Sequence, residues 1–196
     1  MTQKKYELLK DDTIKAPNGK TLYRIKSLIN FGVVVAGSLG GYIEKEDNLA
    51  HSGNAWVYGN AQVYGDALVS DNARVYDDAL VYGDAWVYGN ARVYGDAEVY
   101  GNALVYGNAR VSGDARVYGD ADLVWFSKVG TEQGTLTVYK SKDDSLLATR
   151  GCFSGSVDEF LAESAEVHNE RIQREYRLLI EVAKSRLLGE SYVPNL

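Results

Sequence analysis

Ala55-Trp56-Val57-Tyr58-Gly59-Asn60 and Ala61-Gln62-Val63-Tyr64-Gly65-Asp66 open a run that keeps its frame through Ala115-Arg116-Val117-Tyr118-Gly119-Asp120. The run is eleven hexads of the form A-x-V-Y-G-[ND]. Ala and Val stand two apart, so both point to one side of a short extended segment, and their small, branched shapes suit a narrow interior. Gly followed by Asn or Asp supplies a corner, because these residues tolerate positive φ. One hexad is therefore one short strand and one turn. A single hexad cannot bury its apolar side, whereas stacked coils can, which makes the run an all-β solenoid.

Outside the run the chain is unremarkable in bulk. It has 196 residues and 45% hydrophobic content, enough for a core. The opening residues MTQKKYELLK hold no apolar stretch, and no run nears the roughly 18 apolar residues of a membrane helix. Neither a signal peptide nor a membrane span is expected. A lone cysteine, Cys152, excludes a disulfide framework within one chain, fits a reducing cytosol, and is expected to be a buried structural thiol. The net charge of −6 is concentrated in residues 55–122, with 4 basic and 10 acidic groups. Such an acidic rod should repel nucleic acid, so direct nucleic-acid binding is not expected. A basic protein surface suits it better.

The array resembles the hexapeptide left-handed β-helix, in which an aliphatic residue is followed four positions on by a small one, as Val57 is by Ala61. That resemblance implies a left-handed, triangular coil of three hexads. Eleven hexads then make nearly four coils, rising roughly 15–20 Å at about 4.8 Å per stacked strand. The sequence supports an 18-residue register: Asn54, Asn72, Asn90 and Asn108 fall in one column, and Arg74, Arg92 and Arg110 in another beneath Trp56. The outward x positions then define three faces. The first reads Trp56, Arg74, Arg92, Arg110; the second Gln62, Leu80, Glu98, Arg116; the third Leu68, Trp86, Leu104, Asp122. The third is apolar, and its corner column is Asn throughout. Leu68, Trp86 and Leu104, with Leu80 beside them, are the candidate partner or oligomer interface. The Arg column reads as a surface ladder pairing with acidic corners, which Asp66, Asp78, Asp84, Asp96, Asp114 and Asp120 supply. Tyrosine follows Val in nine of the eleven hexads, Ser70 and Ser112 being the exceptions, and is expected to stack in ladders.

The ends read as caps, giving three segments: residues 1–54, 55–122 and 123–196. In the first, Thr13–Ala16 and Lys20–Ile25 flank the turn signal Pro17-Asn18-Gly19, a β-hairpin. Irregular coils follow, with Val33, Leu39, Ile43 and Leu49 as interior candidates. The last segment is α+β. Strands are predicted at Leu123–Phe126, Leu136–Tyr139 and Ser145–Thr149. Ser156-Val157-Asp158-Glu159 is a capping box opening a helix to about Val167. A second helix spans Glu170 to Leu188, with Ile172, Tyr176, Leu179, Ala183 and Leu187 as its apolar stripe. It packs on the strands or on a second copy of itself.

Thr21–Ile25, Gly37–Glu44, Gly134–Thr137, Thr149–Gly155 and Asp158–Leu161, together with the hexads, make the whole chain resemble the YdcK-like β-solenoid proteins of phage and prophage genomes. The resemblance implies a phage or prophage origin and the cytoplasm of a bacterial host. It carries no catalytic residues. By analogy with small phage proteins that lack enzymatic motifs, the expectation is a non-enzymatic binder that inhibits a host system, such as CRISPR-Cas defence, by protein contact or acidic mimicry of nucleic acid. The partner would be a host protein, for instance a nucleic-acid-binding defence complex, and the chain itself a homo-oligomer, a dimer first. A structural or assembly accessory of the phage particle is the alternative.

Many hexapeptide β-helix enzymes transfer acyl groups, using a histidine and a loop thrown out from the coil. This array has neither, and the chain's only histidines are His51 and His168. An acyltransferase is disfavoured, and two histidines cannot form a three-histidine zinc site. Cys152 with His168 could in principle form a nucleophile and base. No cofactor or metal is expected.

Overall fold

The computed structural model describes residues 4–189, apart from the side chain of Asp120. Each hexad forms a two-residue strand at its x-Val pair and a turn at the next Gly-Asn or Gly-Asp. The turn glycines explain why the motif is strict. Gly83 has φ +72°, and a Cβ there would lie 3.0 Å from the Gly101 nitrogen of the next coil. Asp71 and Asp77 hold the glycine position at φ 58° and 60°. Their carboxylates accept from Gly89 N–H at 3.0 Å and Gly95 N–H at 3.2 Å, one coil on, which offsets the unfavourable backbone.

The strands stack in three parallel sheets. One contains β4 (Trp56–Val57), β7 (Arg74–Val75), β10 (Arg92–Val93) and β13 (Arg110–Val111). A second contains β6 (Leu68–Val69), β9 (Trp86–Val87) and β12 (Leu104–Val105). The third contains β5 (Gln62–Val63), β8 (Leu80–Val81), β11 (Glu98–Val99) and β14 (Arg116–Val117), extended at its upper edge by β1 (Tyr6–Lys15), β2 (Thr21–Ser27) and β3 (Leu39–Ile43). Every pairing within the array joins residues eighteen apart, such as Trp86 with Leu104 and Arg74 with Arg92. The array is a three-sided solenoid of about four turns. All its hexad Ala and Val side chains are buried in one continuous core.

The upper cap is the expected hairpin, turned at Pro17-Asn18-Gly19 and irregular between Leu9 and Thr13. β3 pairs in parallel with β5, and Leu49 bridges Val69, so this segment already follows the coil path. Ile43 and Leu49 are interior, but Val33 and Leu39 are exposed, at 69% and 57%. Val34 takes the inward place, since Val33 lies in the tight turn at Gly32-Val33 between the bridged Phe31 and Val34. At Leu39 the inward place belongs to Gly40, where a Cβ would lie 2.5 Å from Ile25 Cγ1. Lys5, almost fully buried, donates from Nζ to Ala55 O at 2.9 Å, and the Tyr6 hydroxyl donates to Leu49 O at 2.7 Å. These bonds occupy carbonyls at the open end of the coil.

The lower cap is an antiparallel sheet of β15 (Leu123–Val129), β16 (Gly134–Lys140), β17 (Leu146–Arg150) and β18 (Phe153–Ser156), backed by α1 (Val157–Val167) and α2 (Glu170–Leu188). β18 is an addition to the predicted strands. The last coil is closed by side chains and by one antiparallel bridge, Ala115 to Ser141, beside which Lys142 N–H donates to Asp114 O at 3.0 Å. Thr137 Oγ1 accepts from Arg110 N–H at 3.1 Å, Thr149 Oγ1 donates to Arg110 O at 2.8 Å, and the Tyr139 hydroxyl lies 3.2 Å from Ser112 O. Ser112 departs from the hexad tyrosine because Tyr139 and Ser154 occupy the space beside it. The Ser156–Glu159 capping box forms in both directions. In α2 the buried stripe is Ile172, Tyr176, Ile180, Ala183 and Leu187. Leu179 is only partly buried, and Ile180 holds the central place predicted for it.

Candidate functional site

The three-stranded sheet brings Leu68, Trp86 and Leu104 into one stacked row. Leu68 and Leu104 are half-buried, while Trp86 is 51% exposed. Leu80 does not join them. It lies on the seven-stranded sheet between Gln62 and Glu98, because its hexad belongs to another side of the coil.

The surroundings of Trp86 are ordered. Tyr88 and Tyr106 stack at 5.0 Å with ring planes 5° apart, and Trp125 of the lower cap meets Tyr106 edge-on at 4.3 Å. Leu104, Tyr106, Trp125 and Arg186 of α2 border a cleft of about 300 Å³. On the corner, Asn54, Asn72, Asn90 and Asn108 form a side-chain amide ladder with bonds of 2.9, 3.3 and 3.3 Å. The ladder uses amide groups on each other, and the formal charge at this corner is that of Asp71, whose carboxylate accepts from Gly89 N–H. The lower cap thus reaches the edge of the row at Leu104, and Trp86 stays half exposed with the described helices in place. Trp125 was not legible as part of this surface, since it follows the last hexad and its position depends on how the cap docks.

The other two tyrosine columns also stack. Tyr64–Tyr82 and Tyr76–Tyr94 are parallel pairs at 5.0 Å, and Tyr82–Tyr100 follows at 4.9 Å. Burial pushes the Tyr64 hydroxyl up to about 12, aided by the nearby Glu98 charge, and raises Tyr82 likewise.

Arg74, Arg92 and Arg110 stack in register, but the expected pairing with acidic corners is absent. Among the described residues, no carboxylate lies within 4.0 Å of any of them. The arginines lie along the Tyr58–Tyr76–Tyr94 column instead; burial raises the pKa of Tyr58 and Tyr76, and the charges of Arg74 and Arg92 offset part of that rise. Arg110 donates from Nη1 to Gly151 O at 2.5 Å and so belongs to the cap contact. Of the acidic corners, Asp66 pairs with Lys45 at 2.7 Å, which lowers its pKa, and Asp78 accepts from Asn60 at 3.2 Å. Asp84, Asp96 and Asp114 are exposed, and the side chain of Asp120 lies outside those described.

The two histidines sit in opposite caps. His51 stacks on Tyr6 at 4.4 Å, and His168 follows α1. Cys152 is exposed, contrary to the expected buried thiol, because it sits in the turn between β17 and β18. It shares a cleft with His168. Among the described residues no group of three His, Cys, Asp or Glu is placed to hold a metal ion, and no helix is long and apolar enough to cross a membrane.

The family model of the YdcK β-solenoid repeat matches residues 61–75, 73–89, 85–99, 97–113 and 109–121. The matched windows begin every twelve residues, two hexads, whereas the strand pairing closes every eighteen. No curated protein matches the chain. Over residues 61–121, less than half of its length, the chain is built of repeats of the YdcK β-solenoid kind.

Proposed function

We propose that the chain is a non-enzymatic binding protein whose working surface is the face of β6, β9 and β12. The observation that carries this reading is Trp86, half exposed in an ordered apolar row. A large aromatic side chain held in water and flanked by partly buried leucines, with the Asn ladder along one edge and Asp66 and Asp84 along the other, is the arrangement of a protein contact. The acidity of the array selects a partner with an apolar pocket and a basic rim.

The YdcK-type repeats and the resemblance of the caps extend the proposal. The chain is a phage- or prophage-encoded protein acting in the bacterial cytoplasm, where it inhibits a host system such as CRISPR-Cas defence by occupying a surface that normally meets nucleic acid. A homodimer through the same face is the second reading. The continuity of the apolar surface favours it: Arg186 borders both the Leu104–Trp125 cleft and the outer side of α2, where Leu178 and Val182 are exposed.

Capture from bacterial lysate with the wild-type chain and with Trp86→Glu tests both readings. A single stoichiometric partner retained by the wild type and lost by the variant is expected. A concentration-dependent change in sedimentation mass, abolished by the variant, would instead support the dimer. Identical capture and identical mass for the two proteins would remove the face from consideration.

A further inference from the structure

Helix α2 carries an exposed apolar strip of its own. Leu178, Val182 and Leu188 are exposed on its outer side, away from the buried stripe that holds it on the lower cap. Leu178, Val182 and Ser185 follow at four and three residues, the spacing that keeps side chains on one line along a helix. With Glu181 and Arg186 they line a groove of about 350 Å³. Arg186 also lines the cleft beside Leu104 and Trp125, so the helix strip runs on into the row of β6, β9 and β12.

Charge sets the two strips apart. α2 carries five basic residues, Arg171, Arg174, Arg177, Lys184 and Arg186, against three glutamates, in a chain of net charge −6. Among the described residues, no carboxylate lies within 4.0 Å of any of the five. Of the glutamates, Glu175 is engaged by the cap, accepting from Gly130 N–H at 3.1 Å, and Glu181 lies in the groove. The row has the opposite character, with Asp66 and Asp84 exposed along one edge and Asp71 at the other corner. Pairing like with like is therefore poor. Two antiparallel α2 helices centred on Val182 would set Arg177 against Arg186 twice. Two rows facing each other would set like charge beside like charge or beside neutral amides. A basic helix on an acidic row is complementary in charge and in length. Leu178 to Ser185 spans roughly 10 Å at 1.5 Å per residue, and Leu68 to Leu104 spans roughly 10 Å at 4.8 Å per strand.

We propose that a second copy of this chain occupies the row: the outer side of α2 in each copy lies on β6, β9 and β12 of the other, and two such contacts close a symmetric dimer. The proposal rests on the reading of that row as a binding surface and names its occupant. The helix supplies what the row selects, an apolar groove with a basic rim.

The test uses two full chains, both with Cys152→Ser, treated with a short bismaleimide crosslinker. One carries Asn102→Cys, at the exposed edge of the row one coil beyond Asp84, and the other Ser185→Cys, exposed on α2. The mixture is expected to give the 102–185 product, while each chain alone gives none. Sedimentation supplies the second arm. Reversing the helix charge with Arg177→Glu and Arg186→Glu should raise the dimer Kd about tenfold or more, and adding Asp84→Lys should recover most of that loss. All these positions are exposed except Arg177 and Arg186 only in being charged as well, so thermal melts should be unchanged. A 102–102 or 185–185 product in place of 102–185 would overturn the proposal, as would a charge reversal that Asp84→Lys does not rescue. A monomer up to about 100 μM would overturn it too, leaving each strip to another protein or to residues 190–196. If that monomer still loses a captured partner on Trp86→Glu, the row remains a binding surface and only its occupant is wrong; unchanged capture would remove both.

Discussion

Gly83 and Gly113 both have positive φ, but they differ in what stands beside them. A Cβ at Gly83 would press on the Gly101 nitrogen at 3.0 Å, while nothing lies within 4 Å of one at Gly113. Gly83→Ala should therefore cost about 2–3 kcal/mol in denaturant unfolding, and Gly113→Ala only about 1 kcal/mol, the backbone part alone. Lys5 makes a prediction in pH. Burial lowers its pKa from 10.5 to about 8, so the folded chain releases this proton more readily than the unfolded chain. That contribution to stability rises with pH from about 8 to 10.5. Tyr64, raised from 10.0 to about 12, acts in the opposite sense, its contribution being full below 10 and lost towards 12. Stability measured against pH should climb above 8 and fall beyond 10, and Lys5→Met should remove the climb. A flat profile between pH 8 and 10 would contradict the burial of Lys5. The Asn and Tyr ladders were legible in the sequence at this scale, because residues eighteen apart are neighbours in a coil of three hexads. Cys152 was not, since a lone thiol's burial depends on a turn between two strands, one of which left no pattern.

At the scale of elements, period decides what can be read. The hexads are legible because Ala and Val alternate with outward residues and glycine marks every corner. The helix α2 shows the limit. From Tyr176 the inward line continues at either the third or the fourth residue, and both Leu179 and Ile180 are aliphatic. Burial in the core of the lower cap selects Ile180. Truncating it, Ile180→Ala, should cost about 2–5 kcal/mol. Leu179→Ala should cost distinctly less, as measured by chemical unfolding of the two variants. Equal losses would mean that the helix is rotated from its described position. The interior of the upper cap was half legible: Ile43 and Leu49 fit the pattern, while Gly40 and Val34 took the places expected of Leu39 and Val33.

The whole molecule is a quasi-linear stack between two caps, so its stability should grow coil by coil. Duplicating residues 73–90 adds three hexads and preserves every face. The longer chain should remain folded, with a higher denaturation midpoint. Duplicating residues 73–81 breaks the hexad frame by half a repeat and should abolish cooperative unfolding. Three faces and their register could be read from the chain, but the extension of the apolar row by Trp125 and Arg186 could not, because it arises where the cap meets the last coil. The central claim is that the face of β6, β9 and β12 is where this molecule meets a protein. It is tested most directly by photocrosslinking in bacterial cells, with a photoreactive amino acid at position 86 in one chain and at position 92 in another. The account predicts one discrete protein adduct from position 86 and none from position 92. An adduct from position 92 alone, or the same adducts from both, would contradict it.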